Sequence, residues 1–233
     1  MTFPLHFFRG VLDCVLDESV REHVRGLVRR NGLLLPDATD AARCFNDAAV
    51  SDFFGERVPV LFWLTRTPHF APPQKLVLLQ WMHANGVDVH RRHEGTNLSV
   101  LFAPEATLPY LQWCHAVGLD FTQTLDETTV LVHVCSAIRI FTEEHAAIIA
   151  FLVQTVGADP FIAGPDLDDV YGCDAKTPFL HLLGARGVPD DVWRMLLHGD
   201  HPPVNADGET LLELALEAEN HSAVAFLTRA GFN

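Results

Sequence analysis

The chain has 233 residues, 48% of them hydrophobic, and a formal net charge of −14 from 16 Lys+Arg against 30 Asp+Glu. That apolar content supports a buried core and excludes intrinsic disorder, while the negative charge argues against a nucleic-acid binder, which must neutralise phosphates with cations. There is no run of about 20 apolar residues to span a membrane, and the N-terminus has no basic stretch leading into a long apolar one, so neither a membrane helix nor a signal peptide is expected.

Cys14, Cys44, Cys114, Cys135 and Cys173 are odd in number, far apart and without a C-x-x-C pair. Such usage fits a reducing intracellular compartment better than a disulfide scaffold, and its spacing excludes a four-cysteine zinc site. The cations are nearly all arginine, Lys75 and Lys176 being the two lysines, a bias that reads as genome composition.

In chain order, residues 1–57 carry the weakest pattern. Phe3-Pro4-Leu5-His6-Phe7-Phe8 is followed by Val24-Arg25-Gly26-Leu27-Val28-Arg29-Arg30-Asn31-Gly32, which reads as a helix with a glycine stop. Arg21, Arg25, Arg29 and Arg30 then make a solvated basic face. Residues 33–56 read as a polar loop with a short helix around 38–50.

An internal repeat dominates the rest. Residues 79–90 read LQWMHANGVDVH, and 32 positions later residues 111–122 read LQWCHAVGLDFT, identical at seven of twelve positions. A third copy ends in Gly157-Ala158-Asp159 after an apolar run at 148–153, a fourth is WRMLLHGD at 193–200, and a fifth is AFLTRAGF at 225–232. Threonine openings precede three of these endings: Gly95-Thr96-Asn97-Leu98, Lys176-Thr177-Pro178-Phe179-Leu180-His181 and Gly208-Glu209-Thr210-Leu211-Leu212. From Thr96 to Gly118, Thr177 to Gly199 and Thr210 to Gly231 are 22, 22 and 21 residues. Each span accommodates two helices of about three turns joined by a tight turn.

Threonine caps a helix start by accepting an orphan N–H, and proline at the first helical position gives up a donor that had no partner. Glycine at 86, 118, 157 and 231 is expected to stop each second helix in the left-handed conformation. Trp81, Trp113, Leu152 and Phe226 lie five residues before those stops and are expected to form a core ladder. Two units are longer, Val58 to Gly86 and Thr129 to Gly157 being 28 residues each, with the extra residues expected between the helices. In the first, Pro68-His69-Phe70-Ala71-Pro72-Pro73 cannot be helix interior.

These signatures resemble the ankyrin repeat, most clearly at Thr177-Pro178 with His181, at Gly157-Ala158-Asp159, and over the linker Val204-Asn205-Ala206-Asp207-Gly208. The resemblance implies an all-α, ankyrin-type helix-turn-helix solenoid of about six stacked repeats with hairpin-like connecting loops. The array covers 58–233, and 1–57 is either a degenerate capping repeat or a separate small helical subdomain. His181 takes a structural hydrogen-bonding role in that frame. The last repeat carries Asn220, His221, Thr228 and Arg229 where other copies are apolar, which reads as the polar outer face that ends a monomeric stack.

The implied function is a non-enzymatic protein-interaction scaffold that binds through its loop tips and concave helix face, with no cofactor. No phosphate loop, nucleophile elbow or zinc-protease motif is present. His83 and His115 occupy equivalent positions of neighbouring units, about 8–10 Å apart, too far to share an ion unaided. The D-x-D-D run in the long 160–175 connection lacks the EF-hand spacing and closing glutamate, so no metal ligand is assigned. Partner-binding candidates are the loop tip His90, Arg91, Arg92 and His93, the acidic loop residues Asp166, Asp168 and Asp169 with Tyr171, and His201. Net negative charge favours a protein partner with a basic surface. Cys114 and Cys135 lie on apolar helical stretches and read as small core hydrophobes. An alternative is a target-recruiting adaptor of a larger assembly such as a ubiquitin ligase, docked through residues 33–56. Either reading places the chain in the cytoplasm, with the nucleus open.

Overall fold

Threonine side chains start many of this chain's helices, and left-handed glycines end several of them. The computed structural model describes residues 49–51, 57–66, 71–84, 86–92, 99–103, 105–164, 176–197 and 209–232, which are mostly helical. Two compact units divide at Tyr110 and Leu111.

In the first unit, β1 (Ala49–Ser51) runs antiparallel to β2 (Arg57–Pro59), with Val50 opposite Val58. The expected helix around 38–50 is therefore strand at its C-terminal end, because pairing of two β-branched residues across the hairpin outweighs local helical preference. β2 leads directly into α1 (Val60–Arg66), and α2 follows at Pro72–Ala84. Pro72 and Pro73 fill the first positions of α2, where no N–H is needed, and the Gln74 side chain accepts from the Ala71 N–H at 2.9 Å. Thr96 lies outside the described residues. The first regular structure after it is a buried 3₁₀ turn, Val100–Phe102, capped by Ser99. The Tyr110 hydroxyl donates to the Val100 carbonyl at 2.8 Å. Tyr110 belongs to α3 (Leu108–Ala116), the helix in which the division between units falls.

The second unit opens its helices with a hairpin, β3 (Thr124–Leu125) against β4 (Thr128–Thr129). Asp126 and Glu127 form its two-residue loop with φ of 48° and 65°, the backbone a tight hairpin requires. Thr129 ends the hairpin and caps α4 (Val130–Ala137) by accepting from the Val132 N–H. Thr142 and His145 form a reciprocal capping box on α5 (Glu143–Ala150). Thr177 with Pro178 starts α6 (Pro178–Leu182), as the Thr-Pro spacing predicts. Next come α7 (Asp190–Leu196), α8 (Leu211–Glu217), capped by Thr210, and α9 (His221–Ala230), capped by Asn220.

These six helices associate like with like. First helix α4 contacts first helix α6, second helix α5 contacts α7, and α7 contacts α9, while α8 pairs with α9. The interior of this unit is lined by Ile149, Leu152, Phe179, Val192, Trp193 and Leu227, all fully buried. Phe179 and Trp193 tilt against each other with ring centroids 4.7 Å apart.

Glycines 86, 118, 157 and 231 all adopt the expected left-handed backbone, with φ from 79° to 84°. Three of them build the same stop. The N–H after the glycine reaches back to the carbonyl five residues earlier, in Val87 to Met82, Leu119 to Cys114 and Phe232 to Leu227, each at 3.0 Å. At Gly157 the reach is one residue longer, Ala158 to Leu152, because residues Phe151–Val156 continue α5 as a π-turn. The surplus of the 129–157 unit therefore lies in this extended second helix as well as in the turn between helices. Gly199 lies outside the described residues.

Of the four positions expected to form a ladder, two are buried. Leu152 and Phe226 are buried, Trp113 is half-buried, and the Trp81 side chain is outside the described set. On α3 the inward positions belong to Leu111 and Cys114, each one residue before an exposed one, Gln112 and His115, about 100° round the helix.

Candidate functional site

Each Gly-x-Asp of the sequence repeat builds the same small device beyond its helix stop. The carboxylates of Asp88, Asp120 and Asp159 accept the backbone N–H two residues on, from His90 at 3.0 Å, Thr122 at 2.9 Å and Phe161 at 2.8 Å. Aspartate suits this turn because its short side chain mimics a backbone carbonyl. Three of the acidic residues are thus engaged in shaping loops, and what the loops display differs. The first shows exposed His90 and Arg92 with half-buried Arg91. The second carries half-buried Phe121, and the third shows Phe161 and Ile162, 37% and 46% exposed.

His90, Arg91 and Arg92 therefore sit together on one loop, as expected. His93, Asp166, Asp168, Asp169, Tyr171 and His201 lie outside the described residues. Among the described residues no group of three His, Cys, Asp or Glu side chains could hold a metal ion, and no helix is long and apolar enough to cross a membrane. His83 and His115 are both exposed, and His115 lies edge-on to Phe121 and Phe151 with centroids 6.0 and 5.7 Å away.

Two surfaces were not legible from residue types. One is the β3–β4 hairpin tip, where Asp126 and Glu127 are exposed. Asp126 suits such a turn but Glu127, where glycine is favoured, does not, so TLDETT carries little local signal. The other is the line of turns between first and second helices. There Ile140 makes a parallel bridge with Arg186: the Arg186 N–H donates to Arg139 at 3.0 Å and its carbonyl accepts from Phe141 at 2.9 Å. Asn220 extends that line by donating to the carbonyls of Leu183 and Ala185 at 2.9 and 3.1 Å. Asn220 was expected on a polar outer face. It is instead buried, and its amide is the tie between two turns. His221, Thr228 and Arg229 are exposed as expected, with Arg229 paired to Asp190.

Buried groups complete the inventory. Cys114 and Cys135 are buried free thiols, and burial pushes Cys114 up to about 12 and Cys135 higher still. Lys75 is 4% exposed, and burial lowers its pKa, with partial offset from the Glu105 carboxylate. His181 is buried in the last turn of α6.

No family model matches the chain, and no curated protein matches it. Among solved structures, a chain from the complex of the predatory endopeptidase Bd0816 of Bdellovibrio bacteriovorus with the immunity protein Bd3460 is similar over 74% of this chain and 98% of its own. Identity is 14% and the TM-score 0.45, a likeness too slight to transfer fold or function.

Proposed function

We infer that the chain is a non-enzymatic protein-interaction module of the ankyrin-repeat kind. The observation that carries this reading is the like-with-like association of helix pairs in residues 111–233, α4 with α6 and α5 with α7 and α9. Units that bury their apolar faces on their neighbours leave loop tips free to vary, which is the physical basis of recognition by repeat arrays. Two further features support it. The Gly-x-Asp turns hold a constant backbone under different displayed side chains. The hairpin that precedes α4 ends in an acidic pair, Asp126 and Glu127, suited to a basic partner surface.

The partner is a protein engaged through loop and hairpin tips, Arg91 and Arg92 forming a cationic tip of the first unit and Asp126 with Glu127 an anionic tip of the second, each a separate binding element. Affinity capture from the native cell tests this. Charge reversal at Asp126 and Glu127, or at Arg91 and Arg92, is expected to lose the specifically retained protein, whereas Leu216→Ala, on an exposed helix position, keeps it. Equal retention by the wild type and both reversal variants would overturn the reading.

A further inference from the structure

The line of inter-helix turns in the second unit has an open rung at Ile140. Its stitching proceeds from Asn220 to the carbonyls of Leu183 and Ala185, then from Arg186 to Arg139 and Phe141. In an extended segment successive residues turn their polar groups to opposite edges. Arg139 and Phe141 spend theirs on Arg186, so the N–H and C=O of Ile140 face away from that bridge. Among the described residues neither makes a hydrogen bond. Ile140 is 71% exposed, a large aliphatic residue in solvent. Edges of this kind, carrying unspent backbone groups beside an apolar side chain, are templates for an added strand.

We propose that the Ile140 edge binds an extended segment of a partner protein by strand addition, and that this segment is β-branched at its centre and acidic at one end. Two arginines on the rung supply the charge requirement. Arg186, the bridge partner of Ile140, is exposed and shares its face, and Arg139 is exposed one residue earlier, its guanidinium held by donation to the Ser136 carbonyl at 2.7 Å. The carboxylates belong at the Arg139 end, because Glu143 and Glu144 open α5 at the other. A backbone exchange with Ile140 supplies affinity, and a Val or Ile beside it covers the exposed side chain. This surface lies at the opposite end of α4 from the hairpin tip, so it is separate from the tip contacts proposed above.

The test uses the full chain and two fluorescein-labelled peptides, Glu-Glu-Val-Ile-Val-Thr and its reversed sequence, which put the carboxylates at the Arg139 end of a parallel and an antiparallel strand respectively. At least one is expected to bind saturably by fluorescence anisotropy. Three consecutive backbone N-methyl groups in that peptide should weaken binding at least tenfold. Ile140→Asp and Arg186→Glu should each do the same while melting as the wild type does, since both positions are exposed. Reversal of Asp126 and Glu127 should leave peptide binding unchanged, which separates this surface from the tips. Amide chemical shifts should move at 139–142. No saturable binding of either peptide, equal binding of the N-methylated peptide, full binding by both edge variants, or shifts confined elsewhere would each overturn the proposal.

Discussion

The Asn220 side-chain nitrogen lies 2.9 Å from the Leu183 carbonyl oxygen, and the same side chain caps α9 through its oxygen, which accepts from the Ala223 N–H at 3.1 Å. One amide therefore satisfies orphan groups in two elements 37 residues apart in sequence. Asn220→Ala removes a cap worth about 1 kcal/mol and strands two carbonyls, so the expected loss is about 2–3 kcal/mol by denaturant unfolding. Asn220→Asp keeps the acceptor but loses the donor and sets a carboxylate against carbonyl oxygens. It should fall between the alanine variant and the wild type or below both, and a wild-type midpoint would refute the tie.

Gly164 pairs across the chain with Lys176 and passes close to α4. A methyl group there would sit 2.9 Å from Val132 Cγ1 and 3.3 Å from Thr128 Cα. Gly164→Ala is expected to cost about 1–3 kcal/mol from overpacking. Val132 is fully buried, so Val132→Ala carries a cavity cost of its own, but Gly164→Ala should cost less in that background than in the wild type, which a purely conformational penalty would not allow. At Gly118 nothing lies within 4 Å, yet φ is +79°, so Gly118→Ala should cost about 1–2 kcal/mol from backbone strain alone, without rescue by a neighbour.

Glu127 holds φ at 65° with a side chain in place. Glycine populates that region without penalty, so Glu127→Gly, making an Asp-Gly turn, should stabilise the protein by about 0.5–1 kcal/mol. Thermal unfolding of the two proteins side by side measures it, and a lower midpoint in the variant would contradict the hairpin geometry.

The Thr210 backbone N–H and then its hydroxyl hold the exposed Glu213 carboxylate below the ordinary 4.5. A carboxyl whose folded value is depressed contributes stability above its unfolded pKa and loses it as pH falls through the folded one. Stability should therefore decline below about pH 4.5 in part through this box, and Glu213→Gln should flatten that segment of the pH profile. An unchanged profile in the variant would show that the box carries no linkage.

Burial raises the Cys114 thiol from 9.0 to about 12 and shifts Cys135 in the same direction. Raised thiols favour the folded state fully below the unfolded value of 9.0 and lose that contribution as pH rises above it. With Cys14, Cys44 and Cys173 changed to serine, the native protein should release no colour with an aromatic disulfide reagent at pH 8, and two equivalents after denaturation. Fast reaction of the folded variant would refute the burial of these groups.

Local chemistry was readable in the residues themselves. Thr129, Thr177 and Thr210 cap helices, Pro178 opens one, and four glycines close helices in the left-handed region, because these outcomes depend on backbone sterics and hydrogen bonds within a few positions. The Gly-x-Asp repeat is local in the same way, although the Asx turn that gives its aspartate a purpose is a feature of the folded loop. His90, Arg91 and Arg92 could be placed on one loop for that reason, being consecutive.

Tertiary structure alone decided which polar groups are spent and which remain open. Asn220 looks in sequence like a surface residue of a closing helix, and its burial depends on carbonyls brought from 35 and 37 residues away. Ala49–Ser51 suits a helix end until Arg57–Pro59 pairs with it. Ile140 is one more aliphatic residue in an apolar stretch, and becomes an exposed edge only because Arg186 occupies its neighbours' backbone groups. Capping and stopping are settled within one helical turn, whereas burial and edge exposure are properties of pairs distant in sequence, and no single position encodes them.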